Sequence, residues 1–346
     1  MEKTQINRVL IVRTDRIGDV ILTLPMISAL HSSFPSASLA ILLQSYTKNL
    51  AEGQDGLSSI IVEDSQGKKK KFFSLLSELR TYKFDAAFAV YPRFRIALLL
   101  RLAGIPLRIG TAFRWYSFLF NRKVYEHRKT VEKHEAEYNL SMLKELGCKV
   151  PGKIEPMLVI TQKEKDMAAS IRDHLGLACS DMVVLLHPGS GGSAREWKPE
   201  NFASLASMIA RKKFRVFITG TESERDLIDR IVRLSQGAAR PFISSLSLKE
   251  YGAFIQTASV FAANSTGPLH IASAVGTPVV GFYPPVKVMS AKRWGPLGKK
   301  KIIFTPDPAL CSQCAGGPCR GNACMDQITV EQAAEAVLKL AGERTE

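Results

Sequence analysis

Two glycine-bearing turns in the second half of the chain hold residues of the types that bind phosphate. The first turn spans 187–202 and has three glycines within four residues, and the second spans 264–270. Each follows an apolar, strand-like run and precedes a helix-like run, so that free backbone N–H groups and a positive helix end point at one place. Two such junctions in one half of the chain predict a binding site for a diphosphate, such as that of a nucleotide-sugar.

The first turn offers several groups to an anion. Ser190 and Gly191 lie in the glycine-rich stretch, where the backbone can approach a ligand closely. Arg195 presents a planar fork and Lys198 a point charge to phosphate oxygens. The alternative is a solvated basic turn with no ligand. We interpret Trp197 as a packing residue.

The second turn is shorter and opens a helix. Ser265 and Thr266 precede Gly267, and His270 lies one turn into the predicted helix. Beside a phosphate-binding turn this histidine could contact phosphate, although a lone histidine there is more often structural. Glu224 follows another strand-like run, so it could accept the hydroxyls of a ribose or simply complete a helix-capping box.

Near the N-terminus, the loop Thr14-Asp15-Arg16-Ile17-Gly18-Asp19 follows the first strand and precedes a helix. Such loops lie at the carboxyl end of a parallel strand, where doubly wound folds keep their sites. Asp19 could be a general base or a helix cap. Arg16 in this loop and Arg93 after a later strand are the cations that we expect to bind an acceptor.

Absent motifs exclude several enzyme classes. The chain lacks G-x-G-x-x-G after its first strand and lacks G-x-x-x-x-G-K-[ST], which disfavours a dinucleotide oxidoreductase and a P-loop kinase. No two aspartates are separated by one residue, which disfavours a transferase that bridges a metal with Asp-x-Asp.

The net charge of +15 favours an anionic partner such as a phosphorylated glycan or an acidic lipid. No nucleic-acid motif accompanies it, so nucleic acid is not expected. We interpret Lys68–Lys71 as a solvated helix start, with docking to a membrane surface as the alternative. We find no signal peptide and no apolar run of membrane-spanning length. These features predict a cytoplasmic protein, with peripheral contact at the inner membrane as an option.

Four of the six cysteines fall close together in the pattern C-x2-C-x4-C-x4-C: Cys311, Cys314, Cys319 and Cys324. In a cytoplasmic protein such a group favours a metal over disulfides. The spacing is tighter than in zinc ribbons. A structural metal or cluster and a metal-free loop of reduced thiols both remain open.

Strand and helix signals alternate through both halves of the chain. The predicted strands are 8–13, 38–43, 58–62, 85–91, 106–110, 182–187, 214–219, 259–263 and 278–283. The predicted helices are 19–34, 46–52, 69–82, 93–103, 131–146, 199–211, 222–235, 248–257, 267–275 and 329–341. Proline and glycine break the pattern at 148–156. This alternation predicts an α/β protein with two doubly wound parallel-sheet domains facing across a cleft. We assign 1–150 to a Rossmann-like domain that binds the acceptor, 157–325 to a Rossmann-like domain that binds the nucleotide-sugar, and 326–346 to a C-terminal helix.

Five stretches in order resemble the bacterial lipopolysaccharide heptosyltransferases, glycosyltransferase family 9, which have the GT-B fold. The resemblance covers nearly the whole chain. The stretches are Arg13–Asp19 with Leu24-Pro25 following, Arg108-Ile109-Gly110, His187–Ser190, Arg195-x-Trp197-x-x-Glu200-x-Phe202, and Asn264–His270.

The resemblance implies inverting transfer of heptose from ADP-heptose to the inner core of lipopolysaccharide, with no essential metal. It places the base at Asp19, a donor-phosphate contact at Arg195, further donor contacts at Thr266, Gly267 and His270, and a ribose contact at Glu224. Ser265 departs from the family, in which aspartate is common before Thr-Gly. We therefore keep three alternatives: another nucleotide-sugar donor, a nucleotide-sugar epimerase on the same scaffold, and a non-catalytic binding module.

Overall fold

A computed structural model describes residues 6–65, 67–307, 309 and 323–342. The chain divides into two compact units, Met1–Val159 (unit 1) and Ile160–Glu346 (unit 2). The segment 148–156 has no regular secondary structure. The assignment of acceptor and donor to separate domains remains a prediction.

Unit 1 is built on a parallel sheet of six strands. Their order is β3-β2-β1-β6-β7-β8, and β4 and β5 form a separate antiparallel pair. The strands are β1 (Arg8–Val12), β2 (Ser38–Leu43), β3 (Leu57–Val62), β4 (Asp64–Ser65), β5 (Lys68–Lys69), β6 (Ala86–Ala89), β7 (Leu107–Thr111) and β8 (Arg122–Val124). The α-helices are α1 (Ile17–Ile21), α2 (Pro25–Ser33), α3 (Phe72–Tyr82), α4 (Phe94–Leu102) and α5 (Glu135–Ser141).

Unit 2 repeats this architecture with the strand order β11-β10-β9-β12-β13-β14, again all parallel. The strands are β9 (Val183–His187), β10 (Arg215–Gly220), β11 (Ala239–Ile243), β12 (Val260–Asn264), β13 (Val279–Phe282) and β14 (Lys301–Phe304). The α-helices are α6 (Gln162–His174), α7 (Pro199–Ala210), α8 (Arg225–Leu234), α9 (Leu248–Thr257), α10 (Gly267–Ala274), α11 (Ala291–Trp294) and α12 (Val330–Gly342).

The central strands are buried on both faces. All five residues of β9 and of β12 are buried, as are the last four of β1. Continuous apolar runs of this kind, without alternation, are typical of parallel sheets covered on both sides. In each sheet the strand order reverses at the central pair, β1–β6 and β9–β12, and the loops after these strands therefore meet at a topological switch point.

In the two six-stranded sheets, β8, β11 and β14 were not predicted, and each lies at a sheet edge; the fourth edge strand, β3, was predicted at 58–62. These three strands are partly exposed, and their sequences lack a continuous apolar run. β8 begins Arg-Lys, β14 begins with Lys301, and β11 contains Pro241. Proline is tolerated on an edge strand, where its missing N–H breaks no ladder.

Several helix predictions were wrong in detail. The helix expected over 19–34 is two helices, and Pro25 starts the second. The segment 45–51 is a 3-10 helix, and the helix expected over 131–146 is α5 followed by a 3-10 turn. The helix α6 was missed because Ala168 is its only buried residue, which leaves little apolar pattern. Lys68 and Lys69 lie on strand β5 and do not start a helix.

Candidate active site

The structure brings the two glycine-bearing turns together. They follow β9 and β12, which are paired strands, and Asn264 connects them. The buried Asn264 side chain donates Nδ2–H to the carbonyl of Pro188 at 2.6 Å and accepts the Trp197 N–H at 2.8 Å. The Ser193 hydroxyl also donates to the carbonyl of Ser265 at 3.2 Å. The two turns thus form one surface at the switch point of unit 2.

Gly191 and Gly192 give the first turn an open backbone. Both have positive φ, +56° and +72°, a region that favours glycine. A Cβ at either position would meet no atom within 4 Å. Arg195 is half-buried beside this open stretch. Lys198 lies farther along at the start of α7, exposed, with its ammonium 2.6 Å from a carboxylate oxygen of Asp326.

Ser190 is already engaged by a carboxylate. Oε1 of Glu196 accepts the Ser190 N–H at 2.8 Å and the Ser190 hydroxyl at 2.6 Å. One anionic oxygen therefore occupies two donors of the kind that bind phosphate. Glu196 was not predicted as a site residue, although it lies within the first turn, 187–202.

The second turn presents a helix N-terminus. Thr266 is the N-cap of α10, and its side chain makes no capping hydrogen bond. Gly267 begins the helix and is half-buried, with Pro268 next to it. His270 is buried in the first turn of the helix. Ser265 is half-buried, and its N–H donates to the carbonyl of Phe282 at 3.1 Å.

Glu224 has two environments at once. Its Oε2 accepts the N–H and the hydroxyl of Thr221 at 2.9 Å and 3.0 Å, which is the capping box that the sequence allowed. Its Oε1 lies against Gly189, so closely that a Cβ at this glycine would overlap the carboxylate. Only glycine at 189 lets Glu224 reach the first turn. The same carboxylate lies near His187, whose pKa is lowered mainly by burial.

Trp197 packs in the core, as predicted. It is buried, its ring stacks on Phe282 with centroids 4.3 Å apart, and its indole N–H donates to the carbonyl of Ile328 at 2.9 Å. Trp197 therefore anchors the first glycine-bearing turn to the apolar core of unit 2.

In unit 1, Asp19 is not a helix cap. Helix α1 begins at Ile17, Arg16 stands at the N-cap position without a side-chain capping bond, and Asp19 is in the first turn. The capping alternative was therefore wrong. Arg16 is exposed.

Arg13 holds the carboxylates of this loop. Its side chain is 2% exposed, and its guanidinium contacts three acids. Nε donates to Asp15 at 2.8 Å, one terminal nitrogen pairs with Asp19, and the other lies 3.4 Å from Glu135. It also lies 3.4 Å from Oδ1 of Asn139. Since Glu135 and Asn139 belong to α5, Arg13 connects the loop to that helix.

Three carboxylates thus share one buried cationic group. Arg128 adds a second guanidinium, which pairs with Glu135. Burial is the main reason that the pKa of Asp15 rises to about 7, and the neighbouring Asp19 and Glu135 add to the rise while Arg13 opposes it. The hydroxyl of Tyr46 donates to the Asp15 carbonyl at 3.0 Å, and burial raises the pKa of this tyrosine to about 12.

Arg93 lies after β6, the strand paired with β1. It is half-buried at the N-cap of α4, and it donates to the Tyr91 hydroxyl at 2.9 Å with its guanidinium above the same ring. The hydrogen bond to Tyr91 is the main cause of its raised pKa, and Asp15 contributes. Arg93 therefore interacts electrostatically with Asp15, in the loop that follows β1, at the switch point of unit 1.

The cysteine prediction is untested in its main part. Cys311, Cys314 and Cys319 lie outside the described residues. Cys324 is described: it is a free, buried thiol within the apolar core of unit 2. Within the described ranges, no three or more His, Cys, Asp or Glu side chains gather where they could hold a metal. The described helices include none that is long and apolar enough to cross a bilayer.

Comparison with known proteins supports the same reading of the chain. A Haemophilus influenzae protein that carries the provisional name glycosyltransferase is 28% identical over 316 residues, which is 89% of this chain and 91% of that protein. Among solved structures, the glycosyl transferase family 9 protein of Veillonella parvula has a TM-score of 0.84 at 20% identity. It covers 98% of this chain and 99% of its own.

A second solved structure, the ADP-heptose lipopolysaccharide heptosyltransferase II of Escherichia coli, has a TM-score of 0.79 at 19% identity, covering 98% of this chain and all of its own. The fold is therefore the α/β GT-B fold, with a doubly wound parallel sheet in each unit. The model of glycosyltransferase family 9 (heptosyltransferase) matches residues 72–324. The chain belongs to glycosyltransferase family 9, and it is a glycosyltransferase.

Proposed function

We propose that this enzyme transfers heptose from ADP-heptose to the inner core of lipopolysaccharide, with inversion at the anomeric carbon. Family membership and the name of the Escherichia coli neighbour support the donor and the acceptor. The observation that carries the proposal is the pair of phosphate-type turns that Asn264 joins at the switch point of unit 2.

In this mechanism the acceptor hydroxyl attacks the anomeric carbon in one displacement, and Asp19 accepts the proton. Arg195, the open backbone around Gly191 and the N-terminus of α10 stabilise the departing diphosphate. Stabilisation of the leaving group is the larger effect. Base catalysis typically contributes ~10²–10⁴-fold.

The donor contacts follow the geometry of the two turns. Ser190 binds a phosphate oxygen after Glu196 releases it, and Thr266, Gly267 and His270 face the diphosphate from α10. Lys198 binds phosphate only when its ion pair with Asp326 breaks. Because this pair is exposed, breaking it costs little free energy. Glu224 accepts ribose hydroxyls with the oxygen that lies against Gly189.

Two substitutions test the assignment of roles. Asp19→Asn should lower turnover by ~10²-fold or more and keep donor affinity, because it removes the proton acceptor at nearly constant size. Arg195→Ala should weaken donor binding by about 1.5–3 kcal/mol, the range for hydrogen bonds to charged groups. Normal turnover in the first variant, or normal calorimetric affinity in a folded second variant, removes that residue from the mechanism.

The identity of the donor sugar has its own test, because Ser265 brings no charge to the sugar hydroxyls. A panel of nucleotide-sugars is compared for thermal stabilisation of the enzyme. ADP-heptose should stabilise it most, and a larger shift with another donor identifies a transferase of different specificity. Nucleotide release that needs no acceptor would instead support the epimerase alternative, and absence of any turnover would support a binding module.

The acceptor is an anionic, lipid-linked glycan, which Arg16 and Arg93 bind through its acidic groups. The enzyme works peripherally on the cytoplasmic face of the inner membrane, where such an acceptor is anchored. Acceptor affinity should fall as ionic strength rises, because exposed charges such as Arg16 are screened by salt. Equal salt sensitivity of donor and acceptor binding would argue against this role of the cations.

A further inference from the structure

Unit 1 exposes a group of large aromatic side chains on one short part of the chain. Trp115 is 73% exposed, Phe118 67% and Tyr125 73%, and Phe94 and Phe113 are exposed as well. We call these five residues the aromatic surface. Four of them belong to the connection between β7 and α5, and Phe94 opens α4. Exposed apolar groups of this size usually mark a binding surface.

Ring contacts join four of these five side chains in two groups. Phe94 stacks on Trp115 with centroids 4.9 Å apart, and Phe113 lies edge-on to Tyr125 at 6.3 Å. Phe113 also stacks on the exposed His127. Since Phe113 and Trp115 are two residues apart, the two ring groups adjoin.

The part of the chain that carries these rings is basic. Residues 86–125 contain seven arginines and lysines and no aspartate or glutamate. Arg114, Arg122 and Lys129, which neighbour the rings in sequence, are exposed. The first acid after this stretch, Glu126, is neutralised by Lys133 at 2.5 Å and bound by Ser141 at 2.6 Å. The aromatic surface therefore complements an anionic partner.

A hydrogen bond connects this surface to the acceptor side of unit 1. The hydroxyl of the buried Tyr116 donates to the carbonyl of Pro92 at 2.7 Å, one residue before Arg93. Phe94 follows Arg93 directly. A partner seated on the aromatic surface would therefore lie next to a cation that we assign to the acceptor.

We propose that the aromatic surface docks the enzyme on an anionic lipid bilayer. Tryptophan, tyrosine and phenylalanine side chains partition into the bilayer interface, and adjacent arginines and lysines are attracted to acidic headgroups. A protein partner would need carboxylates opposite the arginines, whereas a bilayer supplies both the apolar layer and the phosphates. The choice of partner rests on the proposed function, in which the acceptor is lipid-linked, but the docking itself needs no donor and no turnover.

The test is co-sedimentation of the full chain with phosphatidylethanolamine vesicles that contain or lack phosphatidylglycerol. Wild type should bind the anionic vesicles and bind the others weakly. Trp115→Ser with Phe118→Ser should lower the partition coefficient at least ~10-fold, because the inserted rings are lost. Met157→Ser is the matched control, since Met157 is equally exposed, at 67%, outside the aromatic surface, and it should change nothing. Arg114→Gln and Arg122→Gln should each weaken binding about fivefold.

A second measurement covers the case in which the serine variants fail to fold. On vesicles with brominated acyl chains, wild-type tryptophan fluorescence should be quenched, and Trp115→Phe should abolish most of that quenching while it retains a ring. Trp197 and Trp294 remain as internal references, because the indole N–H of each donates to a backbone carbonyl within unit 2.

Several results would overturn the proposal. One is failure of wild type to bind anionic vesicles. Another is binding that Lys68→Gln with Lys69→Gln abolishes and the aromatic substitutions leave intact, since the lysine strand would then be the docking element. A dimer that Trp115→Ser with Phe118→Ser dissociates would make the surface a contact between copies. Each outcome is independent of nucleotide release with a soluble acceptor, which tests the proposed function.

Discussion

Replacing Arg13 with lysine should lower turnover without changing donor affinity. Arg13 pairs with Asp19 through one end of its fork and donates to Asp15 through Nε, while Glu135 and Asn139 hold the other end. A lysine retains the charge but has a single nitrogen, so it cannot bridge these groups at once. The carboxylate of Asp19 then loses its fixed position, although it keeps its chemistry.

The size of both effects follows from these contacts. A displacement of about 1 Å at a reacting group can cost ~10²-fold in rate, so we expect turnover to fall by roughly 10–100-fold. The loss of one buried hydrogen bond to a charged group costs about 2 kcal/mol, which is about 4–8 °C in melting temperature for a unit of this size. Arg13→Ala should be far more destabilising, because it leaves three acids without their central cation.

The assay compares four enzymes: wild type, Arg13→Lys, Asp19→Asn and the double variant. If Arg13 acts by positioning Asp19, the lysine substitution should cost little further turnover once Asp19 is asparagine. Donor dissociation constants and melting temperatures are measured on the same preparations. Glu135→Gln keeps the hydrogen-bonding geometry around Arg13 and removes one charge, so it should retain more turnover than Arg13→Lys. Additive losses in the double variant, or near-normal turnover in Arg13→Lys, would refute this reasoning.

Three other predictions follow from the same structure. Burial raises the pKa of Asp15 to about 7, so the folded state binds this proton more tightly than the unfolded state. The contribution of Asp15 to the free energy of unfolding should therefore decrease between about pH 4 and pH 7 and be absent from Asp15→Asn, as melting temperatures across that range will show. Gly189→Ala should displace the flexible Glu224 carboxylate and weaken nucleotide binding about tenfold with little change in melting temperature; Gly152→Ala, in open space, is the control, and equal affinities would be contrary evidence. Transfer should survive EDTA, and magnesium-restored activity would contradict this; elemental analysis of purified protein decides separately between a metal and reduced thiols at Cys311, Cys314, Cys319 and Cys324.

The sequence predicted the central strands of both sheets and the edge strand β3, but not the edge strands β8, β11 and β14. Strands β1, β9 and β12 are buried on both faces, so their sequences are continuous apolar runs that can be recognised from the sequence alone. The edge strand β11 reads Ala-Arg-Pro-Phe-Ile, and its pairing with β10 depends on a neighbour distant in sequence. Helix α6 was not predicted for a related reason: it buries little apolar surface, so its sequence has little apolar periodicity.

For the site, motifs located the turns but not the contacts that shape them. The sequence placed Asp19 and Arg195 in loops at strand ends. It could not show that Glu135, 122 residues after Arg13, shares its guanidinium, because that pairing arises only when α5 packs beside the first loop. Likewise Asn264 stood inside a quoted motif, and only the pairing of β12 with β9 shows why an amide is needed there.

The two units position their switch-point loops in the same way. A buried polar side chain at the end of a central strand, Arg13 after β1 and Asn264 at the end of β12, fixes the loop that follows by bonding to groups far away in sequence. These two side chains are largely removed from water, so their partners are fully specified, whereas Asp19 and Arg195 beside them remain partly accessible. A buried residue that fails to find its partners would cost more than it contributes, which ties the loop geometry to correct folding of the sheet. The accessible residues can then meet a substrate without reorganising, the condition under which electrostatic stabilisation is most effective.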